Sequence, residues 1–224
     1  MQIGDVVLDG VVVATIGKNP VDSGIKAKQL GADILEFRID LMDNEYDKLK
    51  DLKNLGLPVI ITNRMKQEGG AWKGTEKQRI HTLLSLLSLA DAVDIELQAE
   101  DRDVVVKKAK SMKKVVIIST HDFQKTPELE VMHNIISKCF EAGGDIAKLA
   151  VMPNSLKDVL CLLEVALHAK GKVCLIAMGE IGKHSRAIAP IYGSVMTYGY
   201  VEHAVAPGQL RVDELKSILS LLRV

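Results

Sequence analysis

A single lysine interrupts an apolar run in the segment GGDIAKLAVMP, residues 143–153. Lys148 stands between Ala147 and Leu149, and the run is typical of a buried β-strand. Burying an unpaired ammonium group is costly, and a lysine usually escapes by reaching water or by losing its proton. In an apolar wall near other cations the proton is lost more easily, and the neutral amine attacks ketones to form a Schiff base. Lys148 is therefore the candidate nucleophile.

A histidine follows the preceding apolar run, KVVIIST at 114–120. Because side chains alternate along a strand, His121 shares a face with Ser119 and is expected beside Lys148. An iminium ion acidifies the neighbouring C–H bond, and an adjacent histidine can remove that proton as a general base. Most lone histidines have no chemical role, so this assignment depends on Lys148.

Further polar residues stand at or beyond the carboxyl ends of other apolar runs: Glu36, Arg38, Arg64, Glu68, Arg186 and Gln209. Taken singly, each has a simpler explanation as an ion pair, a helix cap or a solvated loop residue. The forked guanidinium groups of Arg64 and Arg186 are suited to hold a carboxylate. Together with Lys148, they predict a Schiff-base enzyme that acts on an anionic keto compound.

Alternating strands and helices would bring these residues together. Eight short runs rich in valine and isoleucine read as parallel strands buried on both faces: 10–17, 33–39, 58–63, 92–97, 114–120, 145–151, 172–178 and 193–199. Helical spacing occurs at 21–30, 75–90, 101–111, 127–141, 154–170 and 212–224. This order predicts an α/β protein, a (β/α)8 TIM barrel that forms one domain over residues 1–224. An open doubly wound sheet is the alternative, but TIGKNPVDSG matches its glycine-rich turn poorly.

The composition narrows the class of protein. Lys and Arg number 29, as do Asp and Glu, so no nucleic-acid partner is expected. No apolar stretch approaches the roughly 18 residues of a membrane span, and MQIGDVVLDG lacks the basic start of a signal peptide. The three cysteines have no CxxC spacing, which argues against a zinc site and favours a reducing cytoplasm. No metal ligand set is found.

Seven segments resemble the type I 3-dehydroquinate dehydratase family: ADILEFRIDLM, ITNRMKQEGG, STHDFQKTP, GGDIAKLAVMP, MGEIGKHSR, YGSVMTYG and APGQL. The pairing of HDFQKTP with DIAKLAVMP is specific, and the resemblance spans nearly the whole chain. It implies a cytoplasmic homodimer of (β/α)8 barrels in the shikimate pathway of aromatic amino acid biosynthesis. It also implies a lyase that binds a small-molecule substrate and needs no metal or organic cofactor.

The resemblance assigns roles to the catalytic candidates. Lys148 forms an imine with the C3 ketone of 3-dehydroquinate. His121 removes a C2 proton and then protonates the departing C1 hydroxyl, while Glu68 orients His121. The products are 3-dehydroshikimate and water.

The resemblance also assigns the binding residues. Arg186 binds the substrate carboxylate, Glu36 and Arg38 bind ring hydroxyls, and Arg64 and Gln209 complete the pocket.

Two positions depart from the family pattern. Val205 stands where the family has a substrate-binding serine, and Ala14 replaces a serine of the first strand. Each change is expected to remove one hydrogen bond and to weaken binding by roughly 0.5–1.5 kcal/mol without loss of chemistry. The loop 199–209 is the expected lid.

Two other functions remain open on the residues alone. Class I aldolases and transaldolases also carry a Schiff-base lysine on the sixth strand of a barrel, and would use Lys148 to cleave a carbon–carbon bond. A ligand-binding barrel without catalysis is the second alternative. The EGG and HDFQKTP segments argue against the aldolase, and the presence of both His121 and Lys148 argues against an inactive barrel.

Overall fold

A computed structural model describes residues 1–43 and 45–222, and eight parallel strands form its centre. They are β3 (Val11–Ile16), β4 (Ile34–Arg38), β5 (Val59–Thr62), β6 (Ala92–Glu96), β7 (Val115–Asp122), β8 (Ile146–Val151), β9 (Lys172–Ala177) and β10 (Met196–Tyr200). Their hydrogen-bonded order runs from β10 through β3 and onwards to β9. Each predicted apolar run overlaps one of these strands, and β7 and β10 extend one or two residues beyond their runs. The (β/α)8 barrel is therefore confirmed.

The barrel closes between β9 and β10 through a few contacts at their amino ends. The amide of Val195 donates to the carbonyl of Val173 at 2.8 Å. The hydroxyl of Ser194 accepts from the amide of Leu175 at 3.1 Å. The closure is therefore partial, and the sheet is a nearly closed barrel.

Helices surround the strands. They are α1 (Pro20–Gln29), α2 (Leu49–Lys53), α3 (Glu76–Leu86), α4 (Arg102–Ser111), α5 (Leu129–Glu141), α6 (Leu156–His168), α7 (Gly179–Gly182), α8 (Ser185–Ile188) and α9 (Val212–Leu222). Capping boxes begin two of them, with Thr75 and Gln78 at α3 and Ser155 and Asp158 at α6. None of the helices in the described part of the chain is long and apolar enough to cross a membrane.

Several predicted boundaries need correction. The prediction placed Pro127 in the first turn of a helix, but α5 begins two residues later at Leu129. The short helices α2, α7 and α8 were not predicted, because four or five residues carry too little periodicity. The last two residues of the predicted helix 212–224 lie outside the described residues.

An N-terminal hairpin, formed by β1 (Gln2–Ile3) and β2 (Val6–Val7), was also not predicted. Ile3 and Leu8 are buried in the apolar cluster inside the barrel, together with Val11 and other residues from the amino ends of the strands. The hairpin therefore fills the end of the barrel opposite the mouth.

Side chains alternate between the inside of the barrel and the helix layer. Val12, Ala14 and Ile16 pack in the outer core against the helices, whereas Val13 lies in the inner cluster. Thr15 lines the pocket at the mouth. The expectation that Ala14 removes a substrate hydrogen bond is therefore wrong, because its side chain faces the helix layer.

Candidate active site

A pocket at the carboxyl ends of the strands contains all nine predicted site residues: Glu36, Arg38, Arg64, Glu68, His121, Lys148, Arg186, Val205 and Gln209. Their elements are spread over the chain from β4 to the loop after β10. The strand ends of a parallel barrel converge on one mouth, and for this reason residues distant in sequence meet in one pocket.

Lys148 lies inside this pocket with 4% of its surface exposed. Its Nζ donates to Asp94 Oδ2 at 2.9 Å and lies 3.9 Å from Glu36 Oε1. The ring of Tyr198 is also close, with its centroid 3.9 Å from the same nitrogen. The predicted apolar wall was therefore wrong, since two carboxylates and an aromatic face surround the amine. The expected neighbouring cation is present, because Arg64 pairs with the same Asp94.

Asp94 is the centre of the charges around Lys148. It accepts from the hydroxyl of Ser119 at 2.6 Å and pairs with Arg64 Nη2 at 2.8 Å. Burial alone would raise the pKa of Asp94, but Arg64 and Lys148 outweigh it and hold that pKa well below its usual range. Asp94 is therefore a permanent carboxylate, which serves as a counter-ion and not as a base.

Arg64 contacts more protein groups than the sequence suggested. Besides Asp94, its guanidinium donates to Glu96 Oε1 at 3.0 Å and to Ser119 Oγ at 2.6 Å. An arginine held by two buried carboxylates has little of its fork left for a substrate carboxylate. Arg64 lines the pocket, but its charge is already balanced.

His121, on the strand next to that of Lys148, forms a contact pair with Glu68. Glu68 Oε2 lies 2.8 Å from His121 Nδ1 and accepts from the His121 amide at 2.9 Å. Burial lowers the pKa of His121 well below its ordinary value, and Arg64 and Lys148 add to this effect. The imidazole is therefore neutral near pH 7 and is able to accept a proton.

Glu68 has a raised pKa. Burial raises the pKa of Glu68 to about 8, although Arg64 opposes the shift. When Glu68 is ionised it accepts from the Nδ1 hydrogen of His121, and the lone pair of Nε2 is then free for a proton. The ionisation of Glu68 thus selects the tautomer of His121 that acts as a base.

The loop that carries Glu68 needs glycine at position 70. A Cβ on Gly70 would lie 1.9 Å from the carbonyl oxygen of Arg64. The amides of Glu68 and Gly70 both donate to the carbonyl of Met65, at 3.1 and 3.0 Å. This tight turn places Glu68 against His121.

Arg186 is a buried cation, 2% exposed, that has no carboxylate partner within residues 1–43 and 45–222. Its guanidinium donates to the carbonyls of Gly208 at 2.8 Å and Pro207 at 3.0 Å. Burial lowers the pKa of Arg186 to about 10, so it remains charged near neutral pH. A buried positive charge that contacts only carbonyl groups is a favourable site for an anion.

Glu36 and Arg38 are held by partners next to the pocket. Thr62 Oγ1 donates to Glu36 Oε1 at 2.8 Å. Arg38 donates to both oxygens of Asp40 at 2.9 and 2.8 Å, and Asp40 also accepts from the amide of Arg64. Both side chains are therefore fixed in place at the mouth.

The loop 199–209 crosses the mouth and is tied to α7 and α8. Gln209 Oε1 accepts from the amides of Val205 at 2.7 Å and Ala206 at 3.1 Å. Gly208 has φ +69°, and a Cβ there would lie 2.3 Å from the carbonyl oxygen of Gly179. Gln209 therefore braces the loop with its carbonyl oxygen while it lines the pocket.

Several residues of the site were not predicted from the sequence: Asp94, Glu96, Ser119, Thr62 and Tyr198. A signal for two of them was present in AVDIEL, where Asp94 and Glu96 alternate and so share one face of the strand. Two acids on one face of an otherwise apolar strand indicate buried cations nearby.

Comparison with known proteins identifies the family. A sequence model described as type I 3-dehydroquinase matches residues 12–224. The 3-dehydroquinate dehydratase of Methanosarcina barkeri (strain Fusaro / DSM 804) is 50% identical over 240 aligned positions, which cover 99% of each chain. The chain belongs to the type I 3-dehydroquinase family.

Solved structures agree with this assignment. The type I 3-dehydroquinate dehydratase from Clostridium difficile is 30% identical and has a TM-score of 0.90, with 99% of this chain and 96% of that chain covered. The enzyme from Aquifex aeolicus VF5 is 32% identical and has a TM-score of 0.86, with 96% of this chain and 99% of that chain covered. The predicted family and its hydro-lyase class are confirmed, and the aldolase alternative is set aside.

Proposed function

We propose that this type I 3-dehydroquinase removes water from 3-dehydroquinate through a Schiff base on Lys148 and yields 3-dehydroshikimate. One observation carries the assignment of residues: the buried amine of Lys148, the His121–Glu68 pair and the guanidinium of Arg186, which pairs with no carboxylate of the described residues, line the same pocket. These groups are a nucleophile, an oriented base and an anion site, and the reaction needs all three. The family match and the names of the relatives give the substrate.

Arg186 binds the substrate carboxylate in this proposal. It is the buried cation that the described carboxylates leave unpaired, whereas Arg64 and Arg38 already pair with Asp94, Glu96 and Asp40. Glu36 and Arg38 bind ring hydroxyls, and Val205 and Gln209, from the loop 199–209, complete the wall of the pocket. Arg64 contributes by holding Asp94.

The first chemical step joins Lys148 to the C3 ketone. The amine must lose a proton before it attacks, and the strongly ionised Asp94 cannot take it. His121 is neutral, lies on the adjacent strand and accepts the proton. After the amine has added to the ketone, His121 returns this proton to the hydroxyl of the carbinolamine, which leaves as water. The iminium ion that forms lies over the face of Tyr198.

The second step is the elimination. The iminium ion acidifies the C2–H bond, and His121 Nε2 removes this proton to give an enamine. The enamine expels the C1 hydroxyl group, which takes a proton from His121 and leaves as water. Hydrolysis of the conjugated imine then releases 3-dehydroshikimate and regenerates Lys148, and no metal or cofactor enters the sequence of steps.

The proposed setting is the cytoplasm, in the shikimate pathway of aromatic amino acid biosynthesis. Cys139, Cys161 and Cys174 are all free thiols, which is the state a reducing compartment maintains.

The proposed assembly is a homodimer. Three exposed leucines of α6 support it, since Leu156, Leu160 and Leu167 form an apolar stripe that a second copy would cover. Light scattering on the wild type and on Leu160→Glu tests this, and a monomeric wild type contradicts it.

The function is tested by following the ultraviolet absorbance of the conjugated enone after 3-dehydroquinate is added. The wild type is expected to produce the signal, and Lys148→Met is expected to abolish it. Lys172→Met is the matched control, because Lys172 is exposed on the adjacent strand and is expected to retain wild-type turnover. A wild type that produces no enone contradicts the proposed function.

A further inference from the structure

A line of alternating charges leads from helix α3 to Lys148. Its members, which we call the charge ladder, are Glu76, Arg79, Glu96, Arg64, Asp94 and Lys148. Successive members approach to 2.7, 2.9, 3.0, 2.8 and 2.9 Å. The ladder therefore connects a helix outside the barrel with the reactive amine inside it.

Arg79 is the member of the ladder that joins the helix to the barrel. It is 1% exposed and does not line the active-site pocket. Its Nη1 donates to Glu96 Oε2 at 2.9 Å and to the carbonyl of Asn63. Its Nε and Nη2 donate to the two carboxylate oxygens of Glu76, each at 2.7 Å. The guanidinium thus fixes both a carboxylate and a backbone carbonyl near the site.

The groups held by Arg79 continue into the loop of Glu68. Asn63 Nδ2 donates back to the carbonyl of Arg79 at 3.1 Å. Glu96 Oε1 accepts from the Met65 amide at 2.9 Å and from Arg64 Nη1 at 3.0 Å. Residues 63–65 are therefore fastened to Arg79 both directly and through Glu96.

A displacement of residues 63–65 would disturb both the Glu68–His121 pair and the Asp94–Lys148 pair. The carbonyl of Met65 accepts hydrogen bonds from the amides of Glu68 and Gly70, and this turn positions Glu68 beside His121. Arg64 pairs with Asp94, the partner of Lys148. Arg79 touches neither pair, but its contacts with Asn63 and Glu96 connect it to the residues that hold both.

We propose that Arg79 is a positioning residue, which acts through Glu96 and Arg64 to hold Glu68 against His121 and Asp94 against Lys148. This inference rests on the proposed dehydratase function and deepens it. Arg79 does not line the pocket that would hold the substrate, so the residue affects the chemical steps more than it affects binding. Misplacing reacting groups by about 1 Å lowers rates by about 100-fold even when the altered residue is remote.

The opposing explanation is that Arg79 only stabilises the fold, as many buried ion pairs do. The two explanations differ in what happens to correctly folded molecules. A residue with a purely structural role alters the amount of folded enzyme, whereas a positioning residue alters the rate and the pH dependence of each folded site.

The test compares Arg79→Gln and Arg79→Lys with the wild type. Arg102→Gln is the matched control, because Arg102 is also a helix arginine that donates to the strand end, at the Leu97 carbonyl, but does not contact the ladder. The measurements are KM, kcat and the pH profile of kcat. The values of kcat are divided by the fraction of molecules that borohydride traps as the substrate adduct, which gives kcat per trapped site. Thermal melting records stability separately.

The inference predicts that Arg79→Gln lowers kcat per trapped site about 10- to 100-fold while KM changes by less than about threefold. We expect kcat to rise with pH as Glu68 ionises, and in Arg79→Gln this rise is expected to move to higher pH. The reason is that Glu96 loses its cationic partner Arg79, and the uncompensated negative charge of Glu96 disfavours the ionisation of Glu68. Arg79→Lys is expected to retain more of the rate than Arg79→Gln, because the ammonium group keeps the positive charge although it cannot make all the hydrogen bonds of the guanidinium. Arg102→Gln is expected to behave as the wild type.

An unchanged kcat per trapped site and an unchanged profile in Arg79→Gln overturn the inference, even if the melting temperature falls. If Arg79→Gln does not fold, Arg79→Lys decides the question by the same criterion. A wild type without turnover shows instead that the proposed function is wrong, and the inference then falls with it.

Discussion

Lys148 Nζ lies 2.9 Å from Asp94 Oδ2, so the proposed nucleophile is one half of a buried ion pair. Asp94 in turn binds Arg64, which places a single carboxylate between two cations. This arrangement explains how a lysine can be buried in a barrel wall, because its charge is compensated inside the protein. In the proposed mechanism, the proton that the amine must lose passes to His121, whose lowered pKa keeps it neutral near pH 7.

The carboxylate of Asp94 is expected to be essential for stability. Asp94→Asn retains the shape of the side chain but removes the charge shared by Lys148 and Arg64. Breaking a buried pair of this kind costs about 3–5 kcal/mol, so the free energy of unfolding is expected to fall by at least about 3 kcal/mol. Urea titration measures the change. Asp213→Asn, which loses an exposed pair with Arg211, is the control and is expected to leave the midpoint nearly unchanged.

The pH dependence of kcat/KM is expected to follow Glu68. The base-competent tautomer of His121 requires ionised Glu68, and burial raises the pKa of Glu68 to about 8. Activity is therefore expected to rise with pH and to reach half its maximum near pH 8. The substituted side chain in Glu68→Gln cannot ionise, so this variant is expected to be slower and to lose the rise of activity near pH 8. A wild-type profile that stays flat from about pH 6 to about pH 9 would contradict the assignment.

Arg186 is expected to govern substrate binding. Charge-assisted hydrogen bonds contribute about 1.5–3 kcal/mol, so Arg186→Gln is expected to raise KM by about 10- to 150-fold. Arg186→Lys keeps the charge without the fork and is expected to give an intermediate KM. Steady-state kinetics measure both values. A KM equal to that of the wild type in Arg186→Gln would show that the carboxylate binds elsewhere.

Val205 is expected to weaken substrate binding relative to a serine. Its side chain lines the pocket, and its amide already donates to Gln209. Val205→Ser adds a hydroxyl while it leaves the backbone bond in place, and a net gain of about 0.5–1.5 kcal/mol corresponds to a KM lower by about 2- to 10-fold. Val205→Ala removes apolar surface without adding a donor and serves as the control. Equal KM values for Val205→Ser and Val205→Ala would contradict a hydrogen bond at this position.

The strands and the converging side chains could be predicted because both depend on short-range patterns. Valine and isoleucine runs such as 10–17 and 172–178 indicate buried parallel strands, and polar residues at their ends meet at the barrel mouth. Lys148, His121 and Arg186 were found in this way, and the structure brings them to one pocket.

The partners of these residues could not be predicted, because they depend on register between distant strands. Asp94 meets Lys148 across 54 positions of sequence, and Arg79 meets Glu96 across 17 positions from a helix to a strand. The pattern of residues within one strand or helix does not show which residues of distant segments will be in contact. For this reason the wall around Lys148 was predicted to be apolar, although it contains two carboxylates.

The N-terminal hairpin was missed for a different reason. Strands of two residues, Gln2–Ile3 and Val6–Val7, are shorter than any window in which alternation can be recognised. Burial of Ile3 inside the barrel, which the sequence does not reveal, is the tertiary contact that holds them.

The central claim is that Lys148 forms a covalent imine with the substrate. The most direct measurement is mass spectrometry of the wild type and of Lys148→Met after each has been mixed with 3-dehydroquinate and reduced with borohydride, followed by peptide mapping. We expect one reduced adduct per chain of the wild type, located in the peptide that contains Lys148, and none on Lys148→Met. An adduct on another lysine, or enone production by the wild type without any adduct, would contradict the account.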